Sequence, residues 1–124
     1  SAILTDDGST MNAMYDYEIV MTAEQLPPVN AFWSTTLYEN ETGFFIPNDR
    51  FKYSVGENAG FKLGKDGGIR IVIAAEQPEG VPEENWLPIN REDMDLDIIM
   101  RLYAPDLEKY KSWTAPKAKK LSTK

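Results

Sequence analysis

Histidine and cysteine are both absent from the 124-residue chain. Without an imidazole or a thiol, the chain cannot by itself assemble a Ser-His-Asp or Cys-His catalytic pair, a structural zinc site or a disulfide. The missing cysteines leave the compartment open, because a secreted domain of this size can fold without bridges. Long apolar runs are absent too. Nothing approaches the roughly 18 consecutive apolar residues a membrane helix needs, and no charged segment followed by an apolar one opens the chain. A soluble chain with no membrane span is the expectation. The first residue is Ser1 and not Met, so a targeting signal upstream is compatible with the sequence, and localisation is open.

Positive charge is scarce except at the C-terminus. Residues 111–124, "KSWTAPKAKKLSTK", hold five lysines and no acid, which leaves 8 basic against 20 acidic side chains before them, a balance of −12. An acidic body repels phosphate backbones, so no nucleic-acid partner is expected. The composition, 42% hydrophobic and 11% aromatic, suits one domain with a modest core. Residues 1–116 are read as that domain and 117–124 as a flexible, solvated Lys-rich tail.

What is present has period two. In "MYDYEIVM", Met14 to Met21, the residues Tyr15, Tyr17, Ile19 and Met21 share one face while Asp16 and Glu18 point away, which predicts a half-buried strand. In "LPPVNAFWSTTLYE", Pro27 and Pro28 fix φ and lack N–H donors, and Leu26 is pushed out of the helical region, so no helix crosses this corner. It leads into a predicted strand, Ala31 to Glu39, with Ala31, Trp33, Thr35 and Leu37 on one face and Phe32, Ser34, Thr36 and Tyr38 on the other. Both faces are partly apolar, which places this strand centrally. The acidic turn Glu39 to Gly43 then leads to a short strand, Phe44 to Ile46, stopped by Pro47, and Asn48 and Asp49 suit the cap of one helical turn.

Further on, "FKLGKDGGIRIVIAA" reads as a hairpin whose Asp66-Gly67 supplies a positive-φ turn, with Ile69, Ile71 and Ile73 alternating against Arg70 and Val72. Glu76 to Asn90 carries Pro78, Pro82, Pro88 and Gly80, and reads as a long loop bearing Trp86. Met94 to Tyr103 alternates again, with Met94, Leu96, Ile98, Met100 and Leu102 inward. Pro105 then starts a short helix through Asp106, Leu107, Glu108 and Tyr110. Short strands, tight turns and no strand–helix alternation predict a mainly β fold, an antiparallel β-sandwich of jelly-roll type with one or two short helical turns.

The blocks "LPPVNAFWSTTLYE", "NDRFKYSVG", "DGGIRIVI", "ENWLPIN", "MRLYAP" and "SWTAP" occur in the order of those in the bacterial family domain of unknown function 1214. The chain resembles that family from about Met14 to Pro116. The resemblance implies a jelly-roll-like β-sandwich and a partner half, the N-terminal domain of unknown function 1254, and it favours a periplasmic or secreted location; it implies no reaction. Asp66-Gly67-Gly68 departs from the family's Asp-Gly-Ser, and Tyr103-Ala104-Pro105 from its Tyr-Trp-Pro.

Seven residues stand out as candidate ligand contacts: Trp33, Arg50, Tyr53, Asn85, Trp86, Arg101 and Tyr103. Trp33 and Trp86 are either a stacking platform for a sugar ring or core anchors, and burial of aromatics favours the core. Asn85 either touches a ligand or bonds backbone groups in a proline-broken loop, the commoner use. Arg50, Tyr53, Arg101 and Tyr103 suit a clamp on carboxylate or phosphate, although Arg101 pairing with Asp95, Asp97 or a cross-strand acid is the simpler expectation. Asp95 and Asp97, about 7 Å apart on one strand face, have the spacing of a glycosidase acid–base pair. Glu76, Glu83 and Glu84 could hold Ca²⁺, but no spaced metal-loop signature is present, so no metal and no cofactor are expected. "NET", Asn40 to Thr42, fits a glycosylation sequon but reads as a turn.

Two functions fit this inventory. One is a non-catalytic β-sandwich module that packs on the N-terminal domain of a longer protein or binds a carbohydrate. The other is half of a hydrolase, acting on glycoside, ester or amide bonds, whose site lies at the interface with that missing domain.

Overall fold

Alternation of apolar and polar side chains organises the chain into strands. The structure, a computed structural model, describes residues 2–40, 42, 54–56 and 61–121. Among the described residues nine strands build two sheets: β1 Ala2–Ile3, β2 Met11–Asn12, β3 Tyr17–Met21, β4 Val29–Glu39, β5 Ser54–Gly56, β6 Ile69–Ala74, β7 Trp86–Pro88, β8 Asp95–Pro105 and β9 Ala118–Lys120. The first sheet runs β1-β8-β4-β5, with β2 also paired to β8, and the second runs β7-β6-β3-β9. Every strand pair is antiparallel except β6 with β7. Trp33, Leu37, Val55, Ile98 and Met100 from the first sheet and Ile19, Ile71, Leu87 and Ala118 from the second belong to one buried cluster, so the fold is mainly β with a shared core between its sheets.

The axis of the first sheet is the β4–β8 pair. Trp33, Thr35 and Leu37 of β4 point into the core, as do Leu96, Ile98 and Met100 of β8, which fits the expected central strand and the expected inward set. The buried Thr35 hydroxyl is satisfied by donating to the Val55 carbonyl at 3.1 Å. Leu26 is extended, with φ −61 and ψ 146, after a short 3₁₀ turn at Ala23–Gln25, so the two prolines do turn the chain into β4. At the far end Asp106 caps a short helix, α1, Leu107–Tyr110, by accepting from the Lys109 N–H at 3.2 Å.

Several expectations need correction. β3 begins at Tyr17, and Tyr15, assigned to its inward face, is 38% exposed, with the Lys120 ammonium 3.5 Å from its ring centroid. The Asp66-Gly67 turn forms as expected, with Gly67 at φ +83 and Asp66 accepting from the Gly68 N–H, but residues 61–64 are not a strand, so the turn does not join a hairpin. Gly68 packs so closely that a Cβ there would lie 2.6 Å from the Met21 carbonyl. Trp86 sits on β7 and not in a loop: after the 3₁₀ turn Glu83–Asn85, residues 86–88 pair in parallel with Val72–Ala74. Val72, placed opposite the inward isoleucines, is also buried, because Val81 and Trp86 cover that outer face as a second small cluster with Ala74.

Residues 118–120, read from the sequence as part of a flexible tail, form β9 against Tyr17–Ile19. Ala118 is fully buried, and its backbone also bonds to Leu4 and Asp6. The expected strand at residues 44–46 and the helical turn after it lie outside the described residues.

Ala104 is a non-glycine residue in left-handed backbone, at φ 53. The register explains it: Val29 pairs with Pro105 and Phe32 with Tyr103, so Asn30 and Ala31 oppose Ala104 alone in a β-bulge. An L-residue in this region costs about 1–2 kcal/mol, while glycine's extra unfolded-state freedom costs about 0.4–1 kcal/mol. Ala104→Gly is therefore expected to stabilise the chain by about 0.5–1 kcal/mol and Ala104→Val to destabilise it by about 1 kcal/mol or more. Urea denaturation of the two variants checks both signs.

Candidate functional site

Strand parity decides the fate of three of the seven sequence candidates, Trp33, Arg101 and Tyr103. Trp33 lies on the inward face of β4, 2% exposed, with its ring centroid 5.0 Å from that of Phe61. Trp86 is also 2% exposed, and its Nε1–H donates to the Ala74 carbonyl at 2.9 Å. Neither indole face is open to a ligand, so the sugar-platform reading gives way to two core anchors. Asn85 is a backbone staple: its Oδ1 accepts from the Lys62 N–H and its Nδ2 donates to the Lys62 carbonyl, both at 2.7 Å. Asn85 thus ties the turn before β7 to the segment entering β6. Arg50 and Tyr53 lie outside the described residues.

Arg101 and Tyr103 remain, and the β8 register carries both to the outer face of the first sheet. Cross-strand partners there are Phe32 with Tyr103, Ser34 with Arg101, Thr36 with Ile99 and Tyr38 with Asp97. Tyr103, 40% exposed, stacks on Phe32 with ring centroids 4.3 Å apart and planes 27° apart. The Arg101 guanidinium carbon lies 5.4 Å from the centroid of the Tyr38 ring. This corrects the expected ion pair. Asp97 is held instead by the Asn40 amide, 3.0 Å from each of its oxygens, and Asp95 accepts from Asn12 at 3.0 Å. Both carboxylates accept from amides, and the guanidinium lies against an aromatic face instead.

The face therefore presents two aromatic stations with a cation and the half-buried Ser34 between them, while Thr36 is buried. Its carboxylates, Asp95 and Asp97, each accept from an asparagine amide. Among the described residues no group of three or more acidic side chains is placed to hold a metal ion. Glu84 pairs loosely with Lys62 at 3.9 Å. Phe32 and Tyr38 are the site residues that candidate selection from sequence missed, although their shared outward parity with Ser34 was a signal that could have found them.

Described residues on the other side of the molecule line two grooves. The larger, about 820 Å³, runs between the proline corner Leu26–Val29 and residues 109–117. Trp113 fixes its width by donating its Nε1–H to the Gln25 carbonyl at 2.8 Å. The second, about 400 Å³, lies between the ends of β3 and β6 and the Gly80–Pro82 loop. Val20, on the outer face of β3, lines both.

Among the described residues one carboxylate is clearly perturbed. The Asp7 carboxylate accepts from the Ser9 hydroxyl at 2.6 Å and the Ser9 N–H at 2.9 Å, with the Thr5 hydroxyl also 2.9 Å away. These bonds, the Ser9 hydroxyl's first, lower its pKa from 3.8 to about 2. The turn they close precedes β2 and leaves β1 free to pair with β8.

The family model described as Protein of unknown function (DUF1214) matches residues 1–107, and the chain belongs to that family. Among solved structures the chain is similar to the VPA0106 protein from Vibrio parahaemolyticus, with 24% identity and a TM-score of 0.75, 98% of this chain covering 29% of that one. It is similar also to an uncharacterized protein from Burkholderia cenocepacia, with 16% identity and a TM-score of 0.59, 90% of this chain covering 27% of that one. The chain thus spans less than a third of either protein, and the likeness is one of fold. No curated protein matches it.

Two outcomes follow from this geometry. Asn85→Ala strands both Lys62 backbone groups and is expected to cost about 1–3 kcal/mol of stability by denaturant unfolding. Asp7 is expected to titrate near pH 2 by NMR, and Ser9→Ala to move its midpoint up toward 3.8. Because the folded-state pKa is depressed, the stability Asp7 contributes is present above the unfolded value near 3.8 and is lost as pH falls toward 2.

Proposed function

We propose that the chain is a jelly-roll-like binding and domain-packing module of a longer protein, seated against an N-terminal domain of the domain of unknown function 1254 type, and that catalysis is not its own task. The observation that carries this reading is Val20. On the outer face of the second sheet, Val72 and Ala74 are covered by the chain's own Val81 and Trp86, whereas Val20, one cross-strand pair away on the same face, is 53% exposed. Leu63 beside it is 49% exposed. An apolar side chain left bare on an interior strand, where two grooves meet, suits a surface that another domain completes. The length of the solved relatives, more than three times the span matched here, supplies room for such a domain.

The arrangement is tested by mixing the 124-residue chain with the separately produced N-terminal part of the longer protein and measuring association by calorimetry. Association is expected, and Val20→Glu, which leaves the fold intact by circular dichroism, is expected to weaken it roughly tenfold or more, since it loses a buried valine and buries a charge. No association, or equal affinity of the variant, overturns the packing face. Turnover of glycoside, ester or amide substrates by the reassembled pair overturns the non-catalytic reading in favour of half an enzyme.

A further inference from the structure

We propose that the outer face of β4 and β8 binds an oligosaccharide of carboxylated sugars, with Arg101 receiving a carboxylate and Tyr103 stacking on a sugar ring. This deepens the binding-module reading and places the ligand on the sheet opposite the packing face. Arg101 is the starting point. Its guanidinium carbon lies 5.4 Å from the Tyr38 ring centroid, and among the described residues it has no carboxylate or carbonyl partner, so its N–H groups are available. A guanidinium held by an aromatic ring has lost much of its rotamer freedom before any ligand arrives, and its fork matches a carboxylate bidentately.

The neighbouring acids do not compete for it. Asn40 takes Asp97 and Asn12 takes Asp95, an arrangement that keeps an arginine unpaired within a strand carrying Asp95 and Asp97. Ser34, directly across from Arg101, adds a hydroxyl that can donate to a carboxylate or accept from a sugar hydroxyl. Tyr103 supplies the second recognition element. Fixed by its stack on Phe32 and still 40% exposed, it presents an aromatic face to solvent at no further ordering cost, the arrangement on which the apolar side of a pyranose packs.

Spacing favours a chain over a single sugar. Phe32 and Tyr38 mark the two aromatic stations and lie roughly 20 Å apart along β4, longer than one ring can span. The net charge of −7 repels an acidic ligand at long range, as it would a phosphate backbone, so its affinity has to come from contact with Arg101.

The test titrates the 124-residue chain, by NMR and calorimetry, with a tetrauronate, the corresponding monomer, a neutral oligosaccharide of equal length, and tetraglutamate. The tetrauronate is expected to bind, with shifts confined to β4 and β8, and more tightly than the monomer or the neutral chain. Arg101→Gln and Tyr103→Ala are each expected to weaken it roughly tenfold or more, with the fold unchanged by circular dichroism. Failure of the tetrauronate to bind at millimolar concentration, or equal binding to the Arg101→Gln variant, overturns the site. Equal binding of the neutral chain overturns the carboxylate requirement, and equal binding of tetraglutamate overturns the sugar. Each of these failures is separable from the packing reading, which is read by association with the N-terminal part through Val20.

Discussion

The pairing of β4 with β8 is the constraint on which the rest of the structure depends. Side chains on a strand alternate with period two, so a slip of one residue would turn every inward side chain outward. The observed register sends Trp33, Thr35 and Leu37 into the core with Ile98 and Met100, and by the same parity sends Phe32, Ser34, Tyr38, Arg101 and Tyr103 out. Core and candidate site are therefore one decision seen from two sides. The bulge at Ala104 lets the strands stay paired to Pro105 while the chain beyond turns into α1, at the cost of one strained residue.

How legible each part was depended on how local its cause is. The alternation in β8 and the aromatic and Thr-rich stretch of β4 carry their own period, and both strands appear close to where it predicts. β7 was hidden because Pro78, Pro82 and Pro88 argue against regular structure. The pairing that makes Trp86–Pro88 a strand comes from Val72–Ala74, and nothing within the segment itself encodes it. β9 was hidden for a similar reason: Ala118 is a single small apolar residue among lysines, and its burial is set by β3, far away in sequence.

The site divides in the same way. That an arginine and a tyrosine on β8 share a face is readable from their spacing. That Arg101 lies against Tyr38 while Asp97 and Asp95 bond to Asn40 and Asn12 is not, because those partners come from other parts of the chain. For the two tryptophans, parity placed Trp33 in the core, while Trp86 needed the three-dimensional cover of Val81 to be assigned there.

The contact between the chain's two ends carries a mechanical implication. Ala118 donates its N–H to Leu4 and accepts from the N–H of Asp6, and Thr5 and Ala118 form a parallel bridge. Because the two segments run in the same direction, tension drawing the ends apart acts along the strands, not across them. The paired bonds are then strained together instead of peeling one after another, and they share the load with the flanking pairings of Ala2–Ile3 on β8 and Lys119–Lys120 on β3.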